Sequence, residues 1–115
     1  MVIPLAHQSL KESESINYER GRADALLVLG SAWFAKSFNK TDSSEYYSMK
    51  AYDLYREIDY TLGKARACYY LSYIFSVKGN LPEAERYGTL SLNFFEQAGD
   101  NRGVINSYNV LAYFA

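Results

Sequence analysis

The chain holds one thiol and one imidazole, Cys68 and His7, the two side chains most often used for nucleophilic or metal chemistry. Paired in space, the imidazole would take the thiol proton and leave an activated thiolate. Cys68, however, stands where the helical pattern wants a buried residue, and His7 lies in an irregular first segment. Cys68 therefore reads as a core thiol. One Cys and one His are also too few to hold a transition metal. The carboxylates Glu12, Glu14, Glu19 and Asp24 are spread along polar helix faces, with no pair placed to split its pKa values. "GKA" at 63–65 lacks the upstream glycine and the Ser/Thr of a phosphate-cradling loop. These residues predict no catalytic role, no metal and no cofactor, so the chain does not read as an enzyme. The unusual chemistry is in twelve tyrosines, each an aromatic face with a hydroxyl at its edge.

Composition narrows the partners. Of 115 residues, 49% are apolar and 22% charged, which suits a folded single domain rather than a disordered segment. A net charge of −1 with no basic run argues against nucleic acid, whose binding needs clustered Lys and Arg. The longest apolar stretch, "ALLVLGSAWFA" at 25–35, falls well short of the roughly 20 residues that span a bilayer, so no membrane contact is expected. The opening "MVIPLAHQSLKESES" has no basic region followed by an apolar run and does not read as a signal peptide. With a lone cysteine, this predicts a reducing, cytoplasmic setting. The sequon Asn39-Lys40-Thr41 is accordingly expected to stay unmodified.

Elements that could position the tyrosines are marked by their joints. In "GNLPEA" at 79–84, Gly79 is suited to end a helix in the left-handed conformation. Asn80 is suited to cap the next helix, with Glu83 reaching back in a capping box. Pro82 falls in the first turn, where its missing N–H costs nothing. Asp42 and Glu45 repeat the Asn80–Glu83 spacing upstream.

The repetition is wider than the joint. "INYERGRADALLVLGSAWF" from Ile16 lines up with "IDYTLGKARACYYLSYIF" from Ile58, and more weakly with "AGDNRGVINSYNVLAYFA" from Ala98. Gly21, Gly63 and Gly103 stand 42 and 40 residues apart by subtraction, and Leu29, Leu71 and Leu111 keep the same intervals. A small residue follows each leucine: Gly30, Ser72 and Ala112. Tyr52 and Tyr55 align with Leu92 and Phe95, which makes them core positions. Apolar residues between the joints have helical spacing, Leu26, Leu29 and Trp33 in one segment, Tyr70, Ile74 and Val77 in another. The pattern predicts an all-α chain of six helices near 5–15, 21–38, 43–58, 63–78, 82–98 and 103–115. Self-similarity of this period marks a solenoid of stacked helix pairs.

The residues that carry the repeat resemble the tetratricopeptide family: Leu29-Gly30 with Trp33, Leu71-Ser72 with Phe75, and Ala84 near the start of a second helix. The small residue a turn or two later is Ser91 or Ala51, and "GN" at 79–80 matches the family's turn. The match is best over 63–98. It departs from the family in a period of 40–42 rather than 34, and in Gly88 where an aromatic is usual. The longer period is similar to arrays in bacterial signalling proteins, which precede kinase, cyclase or DNA-binding modules. The resemblance implies a right-handed superhelix of antiparallel helix pairs, with a half-repeat at 5–20, repeats at 21–62 and 63–102, and a half-repeat at 103–115.

In that family the first helices line the concave surface, at positions that include two before and two after the Leu29-type residue. Carried onto this chain these are Leu27, Ser31, Tyr69, Tyr73, Asn109 and Tyr113, with Arg66 and Asn106 one turn earlier. The candidate partner-binding set is thus Arg66, Tyr69, Tyr73, Asn106, Asn109 and Tyr113. Tyr, Asn and Arg in a groove hydrogen-bond a peptide backbone and stack on its side chains at low rotamer cost. The family's carboxylate clamp is not reproduced. The expected function is recognition of a protein or peptide by the sensory or scaffolding part of a larger regulator; small-molecule sensing in the same groove is the alternative. The register opens on a second helix and closes on a first, which predicts a piece of a longer protein, with Val104, Val110, Leu111 and Phe114 uncovered. Self-association through an uncovered terminal helix is then expected, and light scattering at high micromolar concentration checks it: a strict monomer would count against that expectation.

Overall fold

The computed structural model describes residues 17–31 and 41–114, with side chains at 17–31 and 42–112. Five helices occupy them: α1 (17–31), α2 (Thr41–Glu57), α3 (Thr61–Lys78), α4 (Leu81–Ala98) and α5 (Asn101–Phe114). No strand occurs among the described residues, so the chain is all-α there, as the pattern predicts. The expected helix at 5–15 lies outside the described residues, as do 32–38 of the next one. The other boundaries move by two residues at most at their starts, except that α1 is already helical at 17 rather than 21.

Helix ends are built from one repeated turn. At Asp59-Tyr60, Gly79-Asn80 and Gly99-Asp100, spaced 20 residues apart by subtraction, the first residue is left-handed, with φ of 52°, 84° and 73°. The second residue's N–H reaches the carbonyl five residues back: Tyr60 to Tyr55 at 2.9 Å, Asn80 to Phe75 at 2.9 Å, Asp100 to Phe95 at 3.0 Å. The first residue's N–H meets the carbonyls of Arg56, Ser76 and Glu96. This Schellman closure satisfies carbonyls that a helix end would otherwise leave open. Glycine meets the left-handed requirement without a Cβ clash at two joints. Asp59 bears it at the third, where Lys64 Nζ bonds its carboxylate at 2.7 Å and holds its pKa below the ordinary value.

The same turns decide the caps. Asn80 Oδ1 accepts the N–H of Glu83 at 3.4 Å and Asp100 Oδ1 that of Gly103 at 3.1 Å. The return half of the expected capping box is not made, because the Asn80 N–H is already given to Phe75. The Glu83 carboxylate instead takes two bonds from Arg86, at 2.9 and 3.1 Å. The Asp42–Glu45 pair also departs from its expected role. Helix α2 starts at Thr41, so both carboxylates sit in its first turns, and both receive Lys78 Nζ from the end of α3, at 2.9 and 2.6 Å.

Packing follows chain order: α2 lies on α3, α3 on α4 and α4 on α5. The close contacts are made at small residues. The ring of Tyr55 lies over Gly63 and that of Phe95 over Gly103, so tightly that a Cβ would fall 2.2 Å from a ring carbon in each case. At Gly30 a Cβ would fall 2.6 Å from Ser48 Oγ, which brings α1 against α2. Ser72, Ser91 and Ser107 are fully buried between helices; Ser72 Oγ donates to the Ala84 carbonyl, and the Ser91 and Ser107 hydroxyls meet at 3.1 Å. The core joins Ala23, Leu27, Ala51, Tyr52, Tyr55, Ala67, Cys68, Leu71 and Tyr87. Phe75 stacks on Tyr87 at 5.5 Å, with planes 5° apart.

Three expectations about burial are corrected. Leu29 is exposed, because Ala23, Leu27 and Gly30 form the buried stripe and Leu29 projects from the other side. Val77 is exposed in the last turn of α3, one turn beyond the buried Ile74. Val110 is buried, because it continues the Gly103–Ser107 face that meets α4, while Val104 and Leu111 are half-buried. The Phe114 side chain lies outside the described set.

The three aligned glycines make a test of the ring contacts. Gly63→Ala and Gly103→Ala each insert a methyl into an aromatic ring and should lower the unfolding free energy by about 1–3 kcal/mol, as overpacking does. No described residue lies within 4 Å of a Cβ at Gly21. Gly21→Ala should therefore raise stability by up to about 1 kcal/mol through helix propensity. Urea titrations of the three variants check the ranking.

Candidate functional site

Helices α1, α3 and α5 present aligned positions to one side of the molecule. Asp24, Arg66 and Asn106, separated by 42 and 40 residues, line two recesses in sequence. The first recess, of about 270 Å³, lies between α1 and α3 and is lined by Asp24, Leu27, Val28, Ser31, Tyr55, Arg66 and Tyr70. The second, of about 240 Å³, lies between α3 and α5, lined by Arg66, Tyr69, Tyr70, Phe95, Asp100, Arg102, Gly103 and Asn106. Arg66 and Tyr70 belong to both, so the recesses form one groove divided by those two side chains.

The groove's polar groups are held from behind. The Tyr55 hydroxyl, carried by α2, donates to the Asp24 carboxylate. Burial, and then this bond to an anion, push the Tyr55 pKa well up, so the phenol stays a donor. In α3, Tyr69 and Tyr73 meet edge to face with centroids 5.1 Å apart, their hydroxyls 3.4 Å from one another. Burial, followed by the contact with Tyr73, raises Tyr69 to about 12. Neither Arg66 nor Arg102 has an ion-pair partner among the described residues. Asp100, close by in the second recess, spends one oxygen on its cap.

The predicted site residues separate into three groups. Arg66, Tyr69 and Asn106 line the second recess together. Tyr73 is joined to them through Tyr69 and is itself exposed, whereas Asn109 is exposed one turn past Asn106 and lines neither recess. The Tyr113 side chain lies outside the described residues. Of the wider concave set, Leu27 is buried in the core and edges the first recess, and Ser31 Oγ is turned onto the Val28 carbonyl. Asp24, Val28, Tyr70, Asp100 and Arg102 also line the recesses, outside the predicted set. Asp24 was legible, since it precedes Arg66 by the repeat interval. Tyr70 shares the helical spacing of the buried Ile74, which conceals its place in the groove, and Arg102 precedes Gly103 as Arg20 precedes Gly21 but lies outside the positions aligned with Tyr69 and Tyr73.

Chemically, the groove offers amide, guanidinium, hydroxyl and carboxylate groups beside aromatic faces. Its residues suit hydrogen bonding and stacking. Cys68 is fully buried elsewhere, in the core beside Tyr52, and desolvation raises its pKa to about 12, so its sulfur stays a neutral thiol. Among the described residues no three His, Cys, Asp or Glu side chains gather as a metal site, and no helix is long and apolar enough to cross a membrane. No protein-family model matches the sequence, and no curated protein or solved structure matches it either.

A thiol with its pKa raised from an ordinary 9 is linked to stability with a definite sign. Its contribution is complete below about pH 9 and declines as pH rises toward 12. Iodoacetamide at pH 8 should leave the native protein unlabelled and modify Cys68 only in urea. Cys68→Ser should flatten the loss of stability between pH 9 and 11; equal labelling rates with and without urea would contradict this burial.

Proposed function

We propose that this chain is an array of tetratricopeptide-like helix pairs, coiled as a right-handed superhelix, whose first helices form a groove for an extended peptide or protein segment. It serves as the sensory or scaffolding part of a larger regulatory protein. The observation that carries this reading is the alignment of Asp24, Arg66 and Asn106 at the repeat interval along two recesses that share Arg66 and Tyr70. Repeated use of one turn and one ring-on-glycine contact supports the stacked-pair architecture. The aromatic pair Tyr69–Tyr73 supplies the kind of rigid anchor that dominates recognition surfaces.

Selection from a displayed library of random linear peptides, followed by amide-shift mapping of the enriched sequences, tests the proposal. Shifts should extend over α1, α3 and α5. Tyr73→Ala should weaken binding by about 1–3 kcal/mol while helicity by circular dichroism is retained. Unchanged affinity would remove Tyr73 from the site. Failure of any peptide to enrich, with small metabolites shifting only the residues of the first recess, would favour the small-molecule reading.

A further inference from the structure

The groove carries an acid at its α1 end and cations at its dividing wall and its α5 end, and this specifies what it would accept. We propose that its ligand is a peptide bearing one basic and one acidic side chain about three residues apart, the basic one over Asp24 and the acidic one between Arg66 and Arg102. The inference rests on the groove reading above and adds its specificity.

Asp24 is the one acid of the first recess, on its α1 side, opposite Arg66 at the dividing wall; Arg66 and Arg102 are the two cations of the second, beside Asp100. The Asp24 carboxylate is held by the Tyr55 hydroxyl, so it is oriented, yet a carboxylate has about four acceptor positions and retains capacity for an ammonium or guanidinium. On the far side, Arg66 and Arg102 approach one recess without an ion-pair partner among the described residues. Asp100 there is partly spent, its Oδ1 capping the Gly103 N–H at the start of α5. An added carboxylate in that recess would therefore meet two guanidinium groups against one engaged acid.

Spacing follows from the elements. Successive first helices are parted by a recess, so their axes stand at least a helix diameter, about 10 Å, apart. An extended chain advances about 3.3 Å per residue, so groups lodged on successive first helices are separated by about three residues. Between them the peptide passes Tyr70, common to both recesses, which suits an apolar or aromatic residue at the intervening positions. Two partly exposed ion pairs contribute modestly, about twofold to thirtyfold in affinity together, and they act mainly by rejecting mispaired charges.

The test uses synthetic peptides on a common alanine–tyrosine scaffold with the full 115-residue chain. Four charge patterns at three-residue spacing are compared: Lys then Glu, Glu then Lys, two Lys, and two Gln. One opposite-charge order should bind about twofold to thirtyfold tighter than the neutral peptide, with the advantage shrinking in high salt. Arg66→Glu should turn the preference at the acidic position to lysine. Asp24→Asn, which keeps a partner for Tyr55, should abolish the preference at the basic position while leaving the acidic one. Equal binding of all four patterns would overturn the charge rule and leave the groove as a peptide site. No binding by any of them, together with no enrichment from the random library, would overturn the peptide reading itself.

Discussion

Everything in this molecule depends on how closely its helices approach, and that distance is set where an aromatic ring lies on a glycine. Tyr55 over Gly63 and Phe95 over Gly103 leave no room for a single methyl between ring and backbone. A contact of this kind replaces side-chain interdigitation with a flat face against a bare helix. It fixes separation and rotation at once, because only one side of the helix lacks a Cβ. The serines act in the same sense: Ser72 and Ser91 fill little volume and send their hydroxyls to carbonyls of the neighbouring helix, so close approach does not leave those groups unpaired. With α2 held on α3 and α4 on α5, the recesses are the space left between α1 and α3 and between α3 and α5.

Much of this was legible in the residues, and what was not has identifiable causes. Gly79 and Gly99 announce their turns because only glycine adopts a left-handed φ without cost. The joint at Asp59-Tyr60 is the same turn and gives no such sign, since its left-handed residue has a side chain. The capping box at Asn80 failed because pattern reading assigns each N–H once, without knowing that the Schellman turn has first claim on it. Leu29 and Val110 changed places in burial because a leucine-rich stretch has apolar residues on more than one face, and the sequence does not say which face meets a neighbour. In the groove, repeat arithmetic found Arg66, Tyr69 and Asn106 and would have found Asp24. Tyr70 lay beyond it: adjacent tyrosines on one helix give no hint which will be core and which will divide a cleft.

The tyrosines serve two purposes that their frequency conceals. Tyr52, Tyr55 and Tyr87 are structural, carried by α2 and α4 and buried in the core. The Tyr55 and Tyr87 hydroxyls are led to the edge of the core, to the Asp24 carboxylate and the Met49 sulfur, so burial strands neither donor. Tyr69, Tyr70 and Tyr73 form a row of edge-to-face rings on the open side of α3. The Tyr55–Asp24 bond connects the two sets: a core residue orients a groove carboxylate.

Packing in chain order also governs how the molecule assembles from the unfolded chain. Each joint closes by hydrogen bonds between residues at most five apart, and each ring-on-glycine contact spans eight positions by subtraction. The entropy lost in forming such contacts is small, and contacts this local favour rapid folding. Any neighbouring pair of helices is then a possible nucleus, with the rest added one helix at a time. Disassembly takes the reverse course, since a helix packed on one neighbour has one flank to release where α3 has two. The helices packed on both flanks, α3 and α4, are then the ones whose opening must break two interfaces at once.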